Sequence, residues 1–292
     1  PSGKRVKANI TRFVSLGNQE IGAIRYSIIP LNFAGQITIN ATIDGDVRNA
    51  DANYDEKFWT PVSADFSGNQ GFIISRTRKT EFEVCMGMNV DATIQGTQIS
   101  PAYEQIKTDE KVTVSFTVNL LKADELTITK IVSVLSSLYH TKEKIRTDAE
   151  KILNDAVKTG FDSLYSKHIQ KWGDKWDHTD VVIEGDDEAQ QGIRFNIFQL
   201  NQTYTGDDER LNIGPKGFTG EKYGGVTYWD TEAYCLPFFL CTAPQQVSKN
   251  LLIYRYKHLQ KAIENGEKLG FKNGAALYPM VTINGEECHN EW

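Results

Sequence analysis

Long apolar runs are missing from this chain, and no stretch approaches the roughly 18 residues that a membrane-spanning helix needs. Cysteine is scarce. The four residues Cys85, Cys235, Cys241 and Cys288 form no CxxC pair and show no regular spacing. That argues against a structural zinc site and against a disulfide framework, and it points to reduced thiols in a cytoplasmic protein. Positive charge is not in excess, since 32 Lys and Arg stand against 38 Asp and Glu for a formal net charge of −6. No nucleic-acid partner and no membrane surface are expected from that balance. The phosphate-loop pattern GxxxxGK(S/T) is absent, and its nearest strings, Gly214-Pro-Lys-Gly and Thr219-Gly-Glu-Lys, have the wrong spacing. No GxGxxG follows a strand, and there is no internal repeat or low-complexity tract. Both ends, at Pro1 and Trp292, read as cut from something longer.

What is present is ordinary globular material, with 40% apolar and 24% charged residues over 292 positions, enough for one large core or two smaller ones. Residues 1–133 read as β-structure. Ile37, Ile39, Ala41 and Ile43 alternate with polar neighbours, as do Val112, Val114, Phe116 and Val118, the period of a half-buried strand. Turn clusters at Asp44-Gly45-Asp46 and Ser67-Gly68-Asn69 separate such runs, with no helix between them. Antiparallel sheets packed face to face follow, at least part of a β-sandwich.

Residues 134–184 change period. Ala149, Ile152, Leu153 and Ala156 mark one face of a helix from Thr141 to about Gly160, with Thr147 and Glu150 spaced as a capping box. A second helix, Phe161 to Trp176, carries Phe161, Leu164, Tyr165, His168 and Trp172 on one stripe. The pair reads as a two-helix linker. Residues 185–292 are mostly helical with long loops. Asp187 is the expected N-cap of a helix facing inward through Ile193, Ile197, Leu200 and Tyr204. A short helix through Thr231–Leu240 contains Pro237 as a candidate kink, and one helix is expected from Gln245 to Leu269. Long helices alternating with glycine-rich loops suggest the start of an α/α barrel.

The densest candidate for chemistry is the glycine-rich run Gly214–Gly225 leading into Val226-Thr-Tyr-Trp-Asp-Thr-Glu232. A sugar pocket uses an aromatic face against the C–H side of a pyranose and carboxylates for its hydroxyls. Trp229 and Asp230 can offer both from one turn. The alternative is that Trp229 is core and Asp230 a helix N-cap. A second candidate is Gly285-Glu-Glu-Cys-His-Asn-Glu-Trp292, whose polar groups suit ligand recognition in a loop. A metal site from Glu286, Glu287, Cys288 and His289 is disfavoured because adjacent residues rarely converge on one ion, and a Cys288–His289 nucleophile pair fails for a similar reason. Asp51, Asn53 and Asp55 imitate a calcium loop, but Glu56 stands where its glycine belongs, so an anchored surface loop is the better reading. Lys167, Lys171 and Lys175 beside Trp172 and Trp176 are read as a solvated helix face.

Several of these runs resemble one family. Asn212–Glu232, Asp187–Asn196, Asn250–Tyr256, Glu287–Trp292 and Ala52–Trp59 are similar, in the same order, to the glycoside hydrolase family 65 phosphorylases. The resemblance implies an N-terminal β-sandwich, a two-helix linker and an (α/α)6 barrel, with this chain holding the end of the first, the second, and the truncated start of the third. It also implies that Trp229 and Asp230 bind the transferred glucose and that His289, Asn290 and Glu291 line the acceptor side. Relatives acting on kojibiose or trehalose tend to have Tyr-Arg-Gly-His before the Trp-Asp element and Pro-Trp-Glu where this chain has Pro279-Met280-Val281. Tyr223-Gly224-Gly225 and Met280 depart from both patterns, toward the branch that acts on maltose.

The implied activity is inverting phosphorolysis of maltose to β-glucose 1-phosphate and glucose. Maltose or a related α-glucosyl disaccharide and inorganic phosphate are then the partners, with no metal or organic cofactor and a homodimer at full length. The family's general-acid Glu lies in a Gly-x-Asp-Glu-Tyr-like motif downstream of this region. Gly206-Asp-Asp-Glu209 is no substitute, because Arg210 follows it and it precedes the Trp-Asp element. No catalytic residue is therefore expected in this chain. The rival readings are a family member acting on another α-glucoside (trehalose, kojibiose or nigerose), a hydrolase such as a trehalase, and a non-catalytic carbohydrate-binding module. The last fits poorly, because the Trp-Asp element lies in the helical part.

Overall fold

The structure is a computed structural model and describes residues 2–48, 57–215, 217 and 226–288. These form two compact units, one running through Trp172 and the other starting at Gly173. The calcium-like positions Asp51, Asn53 and Asp55 lie outside the described residues, as do His289, Asn290 and Glu291.

The first unit is an antiparallel β-sandwich. Its larger sheet is built from β1 (Val6–Val14), β2 (Ile21–Pro30), β4 (Trp59–Ser67), β5 (Gln70–Thr77), β6 (Glu83–Ile94), β7 (Thr97–Ile99) and β10 (Leu126–Ser136). The order is β1-β2-β10-β6-β5-β4, with β7 pairing on β6. The smaller sheet orders β3 (Gly35–Asp44), β9 (Lys111–Leu120) and β8 (Glu104–Lys107) as β3-β9-β8. The two alternating runs of the sequence are neighbours here, Ala41 opposite Val114 and Ile39 opposite Phe116. The Ser67-Gly68-Asn69 cluster is a two-residue hairpin loop, and Gly68 supplies the positive φ, +55°, that its first position uses.

Parity along the strands sets two cores. Ile73, Met88, Val90, Leu126 and Ile128 face the smaller sheet and meet Ile43, Val112, Val114 and Phe116. Phe72, Ile74, Cys85, Ile131 and Leu135 face the other way, onto α1 (Ile145–Thr159) and the start of α2 (Phe161–Thr179). The larger sheet is thus covered on both faces, which is why β5 is buried continuously from Gly71 to Ser75 and does not alternate.

α1 presents Ile145, Ala149, Leu153 and Ala156 to that sheet, and Ser133 Oγ donates to the Ala149 carbonyl at 3.1 Å. Arg146 lies over the Phe72 ring at 3.5 Å while donating to Asp65 and Glu150. The capping box is not formed. Thr147 lies inside the helix and donates to the Lys144 carbonyl, while Glu150 is held by Ser67 and Arg146. On α2, Phe161, Tyr165 and His168 surround Phe13 at ring separations of 5.1–5.4 Å.

The second unit holds the end of α2, α3 (Asp187–Thr203), α4 (Leu236–Thr242), α5 (Gln245–Tyr256), α6 (Leu259–Lys268) and a two-stranded ribbon of β11 (Thr227–Tyr228) and β12 (Val281–Thr282). Its core gathers Tyr204, Ile213, Phe239 and Leu251. Three expectations are corrected here. Asp186, not Asp187, caps α3, because only its extended backbone turns the carboxylate onto the Ala189 N–H, at 2.9 Å. The single helix of Gln245–Leu269 is two, broken at Lys257-His258. The His258 ring packs edge-on against Tyr254 at 4.7 Å, and Tyr256 is largely exposed. The short helix of Thr231–Leu240 is a wide π turn over Thr231–Cys235 running into α4, and Pro237 stands just past their junction. It sits in the first turn of α4, where its missing N–H is not needed.

Candidate functional site

The stretch around Trp229 is fixed by what flanks it. Thr227 pairs with Thr282 in the ribbon, and its hydroxyl donates to the Thr282 carbonyl at 3.1 Å. The Trp229 N–H continues the pairing to the Met280 carbonyl at 3.3 Å. A wide π turn then occupies Thr231–Cys235, closed by the Leu236 N–H on the Thr231 carbonyl. Such turns recur at functional sites, since an extra residue per turn re-aims its side chains. The turn stops just before Pro237, which has no N–H to extend it.

Alternate sides of this turn have opposite fates. Thr231 is buried and donates to the Ile213 carbonyl at 3.0 Å, and Cys235, Phe238 and Phe239 join the core. Trp229, Asp230 and Tyr234 point out, with Trp229 52% exposed. The core reading of Trp229 is therefore overturned. Asp230 holds the N-cap position of the turn, but its side chain makes no cap hydrogen bond. An indole and a carboxylate on consecutive residues are thus both exposed. Burial, with Glu232 and Asp230 nearby, pushes the Cys235 thiol up and disfavours its thiolate.

Beneath them lies an ion pair that the sequence reasoning missed. Arg255 Nε donates to Glu232 Oε1 at 2.9 Å, and Arg255 Nη2 donates to the Tyr228 carbonyl at 2.6 Å. Asn212 reaches the same carboxylate oxygen at 3.5 Å, while Glu232 Oε2 is buried without a partner among the described residues. The signal was present in the Asn250–Tyr256 motif, which contains Arg255, but nothing in the sequence links that motif to Tyr228.

Two open grooves flank other parts of this unit. One of about 960 Å³ is lined by Trp176, Arg194, Phe195 and Phe198, and one of about 620 Å³ by Lys261, Asn265, Leu277, Glu286 and Glu287. Trp229 and Asp230 line neither. The Cys288 N–H donates to the Val281 carbonyl at 3.0 Å, which ties Cys288 to β12 of the ribbon. Glu286 pairs with Lys261 at 3.1 Å. Among the described residues, no group of three or more His, Cys, Asp and Glu side chains could hold a metal ion, and no helix is long and apolar enough to cross a membrane.

The chain matches known proteins along nearly its whole length. Residues 1–175 match the glycosyl hydrolase family 65 N-terminal domain, and residues 194–292 match the family 65 central catalytic domain. It is 42% identical over 289 residues to a maltose phosphorylase of Bacillus subtilis (strain 168) and 34% identical over 297 residues to an α,α-trehalose phosphorylase of Thermoanaerobacter brockii. Each alignment covers 99% of this chain and 37% of the relative. A solved structure described as a kojibiose phosphorylase from human microbiome superposes over 100% of this chain and 37% of its own, with a TM-score of 0.87 at 26% identity. The chain thus spans little more than a third of the length of these relatives. On both domain matches, the chain belongs to glycosyl hydrolase family 65.

Proposed function

We propose that this chain is part of an inverting disaccharide phosphorylase that cleaves maltose to β-glucose 1-phosphate and glucose. In this reading residues 134–184 link the sandwich to residues 185–292, the beginning of an (α/α)6 barrel. Trp229 stacks on the transferred glucosyl ring and Asp230 accepts hydrogen bonds from its hydroxyls. His289, Asn290 and Glu291 hold the acceptor sugar. The observation that carries the reading is the outward indole–carboxylate pair at the ribbon end, presented while its neighbours Thr231 and Glu232 are tied inward.

The chemistry needs little from this chain beyond grip. An inverting hydrolase requires an acid for the leaving oxygen and a base for water. Phosphate is already an anion and attacks the anomeric carbon without that base, so one Glu acid, supplied from outside this chain, suffices. The choice of maltose leans on Met280 and on the 42% identical relative, and a trehalose- or kojibiose-cleaving enzyme is the alternative that the other two relatives favour. The complete enzyme incubated with maltose, trehalose and kojibiose, each with and without phosphate, tests both points. Glucose 1-phosphate is expected from maltose only when phosphate is present. Equal glucose release without phosphate means a hydrolase, and turnover of another disaccharide in preference reassigns the substrate.

A further inference from the structure

We propose that Arg255 on α5 is a positioning residue for the hexose-binding pair, an inference that rests on the reading of Trp229 and Asp230 given above. The guanidinium bonds the carbonyl of Tyr228, one residue before Trp229, and the carboxylate of Glu232, two residues after Asp230. One planar fork therefore brackets the two exposed residues from both sides. A guanidinium presents its donors at fixed angles, so holding both acceptors at once sets the direction in which the chain between them leaves the ribbon. A lysine, with a single nitrogen, cannot reproduce that fork.

The environment argues for geometry over stability. The Arg255 and Glu232 side chains are only 12% and 22% exposed, so both charges have lost most of their hydration. Glu232 Oε2 is buried and has no hydrogen-bond partner among the described residues. A buried pair with one oxygen unsatisfied is rarely more stabilising than apolar packing of the same volume, and its best-attested use is to select one arrangement among several. The arrangement selected here is the π turn. Thr231 anchors its start to Ile213, Arg255 anchors Glu232 within it, and Trp229 and Asp230 are left facing outward.

The test is steady-state phosphorolysis by the complete enzyme carrying Arg255→Lys, Arg255→Ala or Glu232→Gln, with Trp229→Ala and Asp230→Ala in parallel. Misplacing the pair should raise KM for the disaccharide about tenfold or more while KM for phosphate stays within about twofold. Added guanidinium should restore part of the activity of Arg255→Ala and none in the unaltered enzyme. If kcat falls with both KM values unchanged, or melting temperature drops with no shift in disaccharide KM, Arg255 is merely structural and the proposal is overturned. Glu232→Gln keeps the side chain's size and carries the same test should the Arg255 variants fold poorly. If Trp229→Ala and Asp230→Ala leave the disaccharide kinetics untouched, the hexose reading itself fails. Loss in those two, with unaltered disaccharide KM in the Arg255 and Glu232 variants, sinks the clamp alone.

Discussion

Single residues separate the roles most clearly. Asp230 is exposed and its side chain makes no cap bond, so removing it leaves no buried partner unsatisfied. Asp230→Ala should therefore cut turnover of the complete enzyme by about 100-fold or more while changing folding stability by about 0.5 kcal/mol or less. Paired kinetic and melting measurements check this, and unchanged turnover removes Asp230 from the site. His140 gives a prediction of another kind. Its ring nitrogens meet Asp148 at 3.0 Å and Glu20 at 2.6 Å, joining the start of β2 to α1. Burial opposes the charged ring, but the bonds to Asp148 and Glu20 outweigh it and raise the His140 pKa above 6.5. A raised folded pKa means stability fully present below the ordinary histidine value and lost as pH climbs through the folded one. His140→Gln should accordingly lower the melting temperature most near about pH 6 and progressively less toward about pH 9. A gap that is constant or widens with pH contradicts the pairing.

At the scale of elements, close packing of the larger sheet against α1 is the most exacting feature. A Cβ on Gly87 would lie 2.5 Å from the Phe72 ring and 2.8 Å from Ser133 Oγ, the hydroxyl that bonds α1 at Ala149. Alanine in a strand normally gains slightly over glycine, yet here overpacking dominates. Gly87→Ala is expected to destabilise the sandwich by about 1–3 kcal/mol in urea unfolding, and a neutral or stabilising result would show that the interface relaxes freely. These elements were legible to different degrees. Alternation in β3 and β9 and the stripe of α1 follow from burial on one side, so the periodicity exposed them directly. The cap of α3 slipped by one residue because Asp186 and Asp187 are equally good acceptors and only backbone direction distinguishes them. The break at Lys257-His258 carries no Gly or Pro, so no stop signal in the sequence marks it. At the site, Trp229 and Asp230 could be read from chemistry and resemblance. Arg255 could not, because its meaning lies in a bond to Tyr228 27 positions away.

For the molecule as a whole, the chain is a little over a third of the length of the phosphorylases it resembles, and no Gly-x-Asp-Glu-Tyr-like motif lies within it. Incubated alone with maltose and phosphate, it is expected to yield no glucose 1-phosphate by anion-exchange chromatography. Product at a rate above the buffer blank would mean that a proton donor for the leaving oxygen is already present. A sheet sheltered by strands on one side and helices on the other has a further consequence. Its inner strands β5, β6 and β10 donate and accept hydrogen bonds to both neighbours beneath two lids, so solvent reaches their amides only when an entire layer lifts away. Deuterium from heavy water should enter β1, which is exposed along nearly all its length, well before it enters those strands. The slowest amides of the sandwich would then trace a narrow band from Phe72 through Gly87 to Ser133, the last part of this fold to let go.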